Sequence, residues 1–357
     1  MAELFENNIL GLIPNKDWLS VGFDVTRPND PVDGLFGDEK TNNLVAYWES
    51  IASEYQIPVM AQFHGFDTEA QKAFRIPIDT HNIEKGLIKV KMNQSERLRA
   101  IMRAGVTGEQ SIYEYVMNDG LRLAEQVVTR SKVAKNELLA TGKVTIKENN
   151  VDLTVDYGVP AANTAFTLDL GPGAASDLPT QLAYIVNTAM AKGVILTGMC
   201  LSNTVLTKIR ANAAIQKAIN GTYGAAVRNT QIREYLADEY GINQVVTNDL
   251  SYSAPATIAN GLPVMSSHRY FPTNKVSFFA VNNGGKIGTG LWGDPPEVDA
   301  AKFMQVEASG ASPFVYISQW AENDPAVLWT KASALYMPVL YNPSGLYIAT
   351  TQETPAS

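Results

Sequence analysis

The chain has 357 residues, with 28 Lys+Arg against 36 Asp+Glu, three His, one Cys and 45% hydrophobic residues. That apolar content excludes a wholly disordered chain. The formal net charge of −8 argues against a basic nucleic-acid coat, and one cysteine, Cys200, excludes an internal disulfide framework.

The opening MAELFENNIL has no basic flank before an apolar run. The longest nearly uninterrupted apolar stretch, residues 193–201, is far short of the roughly 20 residues a membrane span needs. A soluble, intracellular product without a membrane partner is therefore expected. Charge is segregated: residues 1–50 carry 3 basic and 9 acidic side chains, residues 51–150 carry 14 and 12, and residues 290–357 carry 2 and 7. Acidic ends around a neutral to basic middle either reflect ordinary surface variation or steer contacts between neighbouring copies.

Residues 1–45 read as an arm. Turn-forming Asn, Asp, Pro and Gly recur between isolated apolar anchors (Ile9, Leu12, Trp18, Phe23, Leu35, Phe36), which need another surface to pack on. That surface is either the rest of the chain or another subunit. A two-stranded excursion is expected next, with one strand at residues 57–63 and another at 87–92, where apolar and basic residues alternate. Thr107 and Gln110 form a helix-start box. Ile112, Val116, Leu123, Val127, Ala134 and Leu138 then recur mostly at helical spacing until Gly142, which predicts one long helix over residues 107–141 with Gly120 as its weak point. A hairpin follows, residues 143–147 against 151–157.

Residues 158–177 form a Gly/Pro/Ala-rich connector, a natural domain boundary. Helix and strand alternate beyond it: a helix from Leu178 to about Lys192, a buried strand over 193–201, a helix from Ser202 or Asn203 to about Ile219, a helix over 230–240, and strands over 242–250 and 275–281. The tail is strand-like at 312–320, 327–340 and 345–350.

No chemistry-bearing constellation emerges. His64, His81 and His268 have no metal-ligand spacing, no G-x-S-x-G occurs, and Cys200 lies in an apolar run, as a buried inert thiol would. The glycine-rich segment 284–290 fails both phosphate-loop patterns and reads as a flexible turn. Asn93-Gln94-Ser95 and Asn220-Gly221-Thr222 match the glycosylation acceptor pattern, which carries no weight without a secretory signal. Arg97, Arg99 and Arg103, preceded by Lys89 and Lys91, form the most basic cluster. It reads either as a solvated helix face or as a contact for a carboxylate-rich protein surface, since no aromatic interleaving suggests base stacking.

Taken in order, the arm, excursion, long helix, hairpin, α/β insert and returning β tail resemble the major capsid protein of tailed bacteriophages, within the lambda-type major head protein (capsid protein E) family. The resemblance is strongest over residues 87–157. There Leu87-Ile88-Lys89-Val90-Lys91 precedes the long helix, and Thr141-Gly142-Lys143 leads through a strand and turn to Val155-Asp156-Tyr157-Gly158. The tail, ending in Tyr347-Ile348-Ala349-Thr350, matches as well.

The resemblance implies an α+β fold of the Hong Kong 97 type. Residues 1–56 would be the N-terminal arm and 57–92 an extended loop reaching over a neighbouring subunit. Residues 93–175 and 276–357 would form a peripheral domain with the spine helix, and 176–275 an axial domain around the hexamer or pentamer axis. It implies an icosahedral virion shell enclosing double-stranded DNA without reading its sequence, no enzymatic activity and no cofactor. Its partners would be further copies of the chain and a portal protein, with scaffold and decoration proteins as further candidates. Phe66, Lys72, Arg75, Lys85, Arg97, Arg99 and Arg103 are the subunit-interface candidates. Some family members cross-link Lys to Asn, but no pair is identified in this chain. Two other readings stay open: an encapsulin-type nanocompartment of the same fold, and an enzyme whose catalytic domain spans about residues 176–280.

Overall fold

The computed structural model describes residues 30–51, 57, 60, 78–94, 109–148, 151–171, 177–222, 224–259, 262–281, 284–298, 307–309, 314–324 and 326–353. Helix α1 (Glu109–Thr141) holds 33 residues and so extends about 50 Å at about 1.5 Å per residue. Leu123, Val127, Ala134 and Leu138, flanked by Ala124, Val128 and Leu139, bury one stripe of it. The helix runs through Gly120 without interruption and ends at Gly142, whose N–H still donates to the Leu138 carbonyl at 2.8 Å and whose φ of 73° then turns the chain out of the helix. A side chain at Gly142 would lie 2.8 Å from Val159. The start box at Thr107 lies outside the described residues.

Under α1 lies a six-stranded sheet, in the order β1 (Phe36–Lys40), β13 (Gly288–Gly293), β16 (Ala326–Leu340), β15 (Tyr316–Asn323) and β14 (Glu307–Ser309), with β4 (Gly86–Gln94) also pairing β16. Strand β16 has 15 residues and gives the sheet its axis. β15 pairs with residues 326–333 of β16 and β13 with residues 335–340. β4 pairs with residues 328–336, overlapping both, so it lies alone along the other side. Ala332 and Ala334 of β16, with Ile88, Val90 and Met92 of β4, form the row under α1, and the small alanines let the helix lie close. The alternation expected over residues 87–92 is real: Leu87, Lys89, Lys91 and Asn93 are exposed, and the residues between them face inward.

Its partner differs from the expectation. The two-stranded excursion is β2 (Val45–Ile51) against β3 (Ile78–Glu84), while β4 belongs to the large sheet. Of residues 57–63 only Ile57 and Met60 are described, both exposed and neither in a strand. The glycine-rich segment departs from the expected turn only in its second half: residues 284–287 are turn and bend, while residues 288–293 form a wholly buried strand, parallel to β1 and antiparallel to β16. A Cβ at Gly288 would lie 2.1 Å from the Val339 carbonyl, and one at Gly290 would lie 2.6 Å from Asp38, so these glycines permit close approach of backbones.

A second, five-stranded sheet runs β7 (Phe166–Asp169), β17 (Leu346–Gln352), β12 (Lys275–Phe279), β8 (Gly198–Leu201) and β9 (Gln244–Thr247). Period-two alternation divides its side chains between two cores. Phe279, Cys200, Leu346 and Ile348 join the core under α1, and the Ser277 hydroxyl donates to the Leu139 carbonyl at 2.7 Å. Val276, Phe278, Met199, Leu201, Tyr347 and Ala349 face a separate core built by α3 (Leu178–Ala191), α4 (Asn203–Ala211), α5 (Ala213–Asn220) and α6 (Asn229–Tyr240).

The insert shows further differences. The helix expected through Ile219 is broken at Asn212, whose side-chain oxygen accepts from the N–H groups of Ala214 and Ile215 and whose amide donates to Gly171. This caps a new helix instead of continuing the first. The buried strand is only Gly198–Leu201. The connector contains a short helix, α2 (Ala161–Thr164), and β7, which pairs parallel to β17. A hairpin of β10 (Ser251–Ala259) and β11 (Leu262–Arg269) was not legible in the sequence pattern. The hairpin of β5 (Lys143–Glu148) and β6 (Val151–Asp156) follows α1 as expected. The five-stranded sheet takes β8 and β9 from residues 176–275 and β7 and β17 from outside them, so the insert and the surrounding body share one sheet.

Candidate assembly surfaces

A subunit of the kind the resemblance implies would work through surfaces, so the relevant geometry is where its arm docks and which faces remain open. Described residues 30–40 of the arm dock on their own chain. Val32, Leu35 and Phe36 enter the core under α1, and β1 adds parallel to β13. A buried polar cluster locks them there. The Asp30 carboxylate accepts from the Val32 N–H at 3.0 Å, from Asn248 at 2.9 Å and from Asn136 at 2.8 Å. Lys135 reaches Asp33 at 3.2 Å and Asp38 at 3.0 Å, Lys132 reaches Asp33 at 3.5 Å, and the Trp292 indole donates to Asp38 at 2.8 Å. Burial raises the Asp30 carboxyl above its usual range, against the opposing hydrogen bonds from Val32 and Asn136. The cluster joins four segments: the arm, α1, the loop after β9, and β13.

Among the interface candidates, Phe66, Lys72, Arg75, Arg97, Arg99 and Arg103 lie outside the described residues. Lys85 is described and points inward, 3% exposed. Its ammonium donates to the carbonyls of Thr41 at 2.8 Å and Trp292 at 3.1 Å and to the Thr41 hydroxyl. Those acceptors use all three of its protons, and burial lowers its pKa. Lys85 is therefore an internal strut between β13 and the base of the β2–β3 hairpin, with no donor left for a neighbouring copy. The sequence could not show this, because the inward turn arises where the strand phase shifts between β3 and β4.

The open faces are distinct in charge. On the β2–β3 hairpin, Trp48 stacks on His81 with ring centroids 5.0 Å apart and Ala46 is buried, so that face is closed. The opposite face carries Tyr47, 67% exposed, together with exposed Thr80, Asn82 and Glu84. On the large sheet, the face opposite α1 carries Leu87, Lys89, Lys91 and Asn93 of β4 beside Trp329 and Trp320. Lys91 sits over the Trp329 ring at 4.2 Å, and Lys331 pairs with Glu297 at 3.0 Å. At the tip of the β5–β6 hairpin, Val151 and Leu153 are exposed.

The described residues bring no catalytic groups together beside these surfaces. Among the described residues no cluster of His, Cys, Asp and Glu could hold a metal ion. Cys200 is buried and its thiol pKa is raised by that burial, which leaves it unreactive. No described helix is long and apolar enough to cross a membrane.

The model of the phage major capsid protein E family matches residues 65–351. The chain belongs to that family. It is a major capsid protein of a tailed phage, a structural subunit of the icosahedral shell and a component of the virion; it is not an enzyme. The α/β insert is accordingly part of a capsid subunit, and the nanocompartment reading gives way to the phage one. No curated protein sequence matches the chain. Among solved structures, this capsid protein is similar to a prophage protein of E. coli CFT073 assigned as a capsid protein, with 10% identity, TM-score 0.55 and coverage of 97% of this chain and 99% of that one. It is also similar to a phage-related protein of Bordetella bronchiseptica RB50, with 12% identity, TM-score 0.52 and coverage of 93% and 95%. At such identity the likeness concerns the fold, which is the mixed α+β capsid fold.

The residues that sequence reasoning passed over are those of the polar cluster in this capsid subunit. A signal existed: Lys132 and Lys135 fall on the same helix stripe as Val128 and Leu139, where a charge is costly unless it is paired.

Proposed function

We propose that the subunit assembles as hexamers and pentamers, with residues 176–275 gathered around each axis as an axial domain and the α1 layer with its large sheet as the periphery. The part of the extended loop ahead of β4, and the arm ahead of Asp30, reach towards neighbours. Phe66, Lys72 and Arg75 on that loop and Arg97, Arg99 and Arg103 after it supply the contacts. A portal protein occupies one vertex, and scaffold and decoration proteins are further candidate partners. The shell encloses double-stranded DNA without reading its sequence, and a net charge of −8 keeps the wall from gripping it.

One observation carries this reading. On the edge strand β4 of the large sheet every second residue is exposed, and Lys89 and Lys91 stand there beside Trp329. A subunit with such a strip completes it by repeated contacts with identical copies. Electron microscopy of the purified chain tests it. Rings of five and six, or hollow shells, are expected; a small monodisperse particle under every assembly condition overturns it. For the DNA, shells that retain bound duplex after a high-salt wash overturn the claim of a non-gripping wall.

A further inference from the structure

Three buried residues close a ring of hydrogen bonds where the arm, α1 and the insert meet. Asn248 donates one amide proton to the Asp30 carboxylate at 2.9 Å and the other to the Asn136 side-chain oxygen at 2.8 Å. The Asn136 amide donates in turn to the second Asp30 oxygen at 2.8 Å and to the Lys132 carbonyl at 3.0 Å. Asp30 also accepts from the Val32 N–H, and the Asn248 oxygen accepts from the Leu250 N–H at 3.1 Å. Every amide proton and every side-chain oxygen of the ring therefore has a partner, and none of the three residues is more than 2% exposed. Asn248 is itself fixed to the insert. Its backbone N–H donates to the Leu201 carbonyl at the end of β8 at 3.0 Å. The next residue, Asp249, accepts from the N–H of Asn203 at the start of α4 at 3.0 Å and pairs with Arg269 of β11 at 2.8 Å. A shift of α4 and the end of β8 against α1 thus carries Asn248 with it. On the other side, Asp30 leads the arm into place: its carbonyl accepts from the Asp33 N–H, and Val32, Leu35 and Phe36 follow into the core.

We propose that the Asp30–Asn136–Asn248 ring is a clasp that makes docking of arm residues 30–40 and seating of the insert on α1 a single event. A buried carboxylate or amide left without a partner costs more than a satisfied hydrogen bond contributes. Withdrawing Asn248 with the arm in place strands part of the Asp30 carboxylate and the Asn136 oxygen. Withdrawing the arm with the insert in place strands one amide proton on each asparagine. The two half-open states are therefore disfavoured against the closed ring and against a state with arm and insert both displaced and the freed groups in water. Coupling of this kind is reciprocal: a pull on the arm loosens the insert by the same factor as a displaced insert loosens the arm. The clasp stands on the fold alone and holds whichever surfaces the copies use to meet.

Amide hydrogen exchange of the full chain, read by mass spectrometry over β1 (residues 36–40) and β9 (residues 244–247), tests it. Asn248 bonds to no residue of β1, yet Asn248→Ala is expected to speed exchange about tenfold or more in β1 as well as in β9. Asp30 bonds to no residue of β9, yet Asp30→Ala is expected to do the same there. The β5–β6 hairpin, which bonds to none of the three, is expected to exchange at the parent rate in both variants, and so reports that the rest of the fold is intact. Asn248→Asp sets two carboxylates against each other and is expected to open both strands. Adding Asp30→Asn to it returns a carboxylate–amide pair and is expected to slow both again. If Asn248→Ala does not fold, Asp30→Ala and the swapped pair read the same coupling from the arm side. Faster exchange confined to β9 in Asn248→Ala, or to β1 in Asp30→Ala, overturns the clasp. So does a rise of the same size in the β5–β6 hairpin, or a swapped pair that exchanges as fast as Asn248→Asp alone.

Discussion

The two sheets of this capsid subunit are covered differently. The five-stranded sheet is packed on both faces, against α1 on one side and α3 to α6 on the other, and its residues divide strictly between the two cores. The six-stranded sheet is packed under α1 on one face, and on β4 every second residue of the other face is exposed. In the first sheet a side chain has a fixed neighbour above and below, so substitution is felt within the fold. In the second, the outer residues of β4 are free of the fold and available to the assembly. The difference separates residues that hold the subunit together from residues that hold subunits to one another.

The largest expected effect lies in the doubly covered sheet. Phe278 is fully buried, and Phe278→Ala should cost about 3–5 kcal/mol in denaturant unfolding of the monomer. Leu87→Ala on β4, by contrast, should change that stability by less than about 0.5 kcal/mol. Comparable losses at the two positions would remove the distinction.

The polar cluster at the seam between the sheets comes next. Asp38→Ala strips partners from the buried Lys135 ammonium and the Trp292 N–H. A loss of about 2–3 kcal/mol is expected, discounted from a fully buried pair because Asp38 itself is partly exposed. Replacing Lys135 by Met in that background should recover part of it.

Gly142→Ala should cost about 1–2 kcal/mol, since it combines a positive φ with a contact to Val159. The same substitution at Gly34, whose φ is not positive and where a Cβ meets nothing, should be near neutral, and thermal unfolding of the two variants would rank them.

The smallest effect is in pH dependence. Burial raises the Asp30 pKa above its ordinary 3.8, so the ionised form is the less well tolerated one in the folded state. Its contribution is fully present below the unfolded-state value and is lost as pH rises through the folded value. The stability difference between the parent and Asp30→Asn should therefore fall as pH rises above about 4 and then level off. A difference that grows with pH across that window would show that the hydrogen bonds from Val32, Asn136 and Asn248 outweigh burial.

Long-period signals were the legible ones. The helix over residues 109–141 and its glycine stop, the β5–β6 hairpin and the three tail strands all follow from spacing and terminators that act locally. What stayed hidden depends on distant partners. The start of the strand, residues 288–290, is absorbed into a turn reading over 284–290, because glycines needed for approach to Val339 and Asp38 are indistinguishable in sequence from glycines needed for a turn. Asn212 looks like an ordinary helix-interior residue until Gly171 is seen to take its amide. β4 is legible as a half-exposed strand, but its pairing with β16 joins positions more than two hundred residues apart. Lys85 shows the same limit, since its inward course is set by carbonyls of Thr41 and Trp292.

Helix α1 touches both sheets, through Ser277 on one and through Ala332 and Ala334 on the other. A stiff rod of that length is a lever. Tilting it by about 5° where the polar cluster grips it moves its far end by about 4 Å over about 50 Å. A small displacement at the gripped end is thereby magnified several-fold at the other end of the rod.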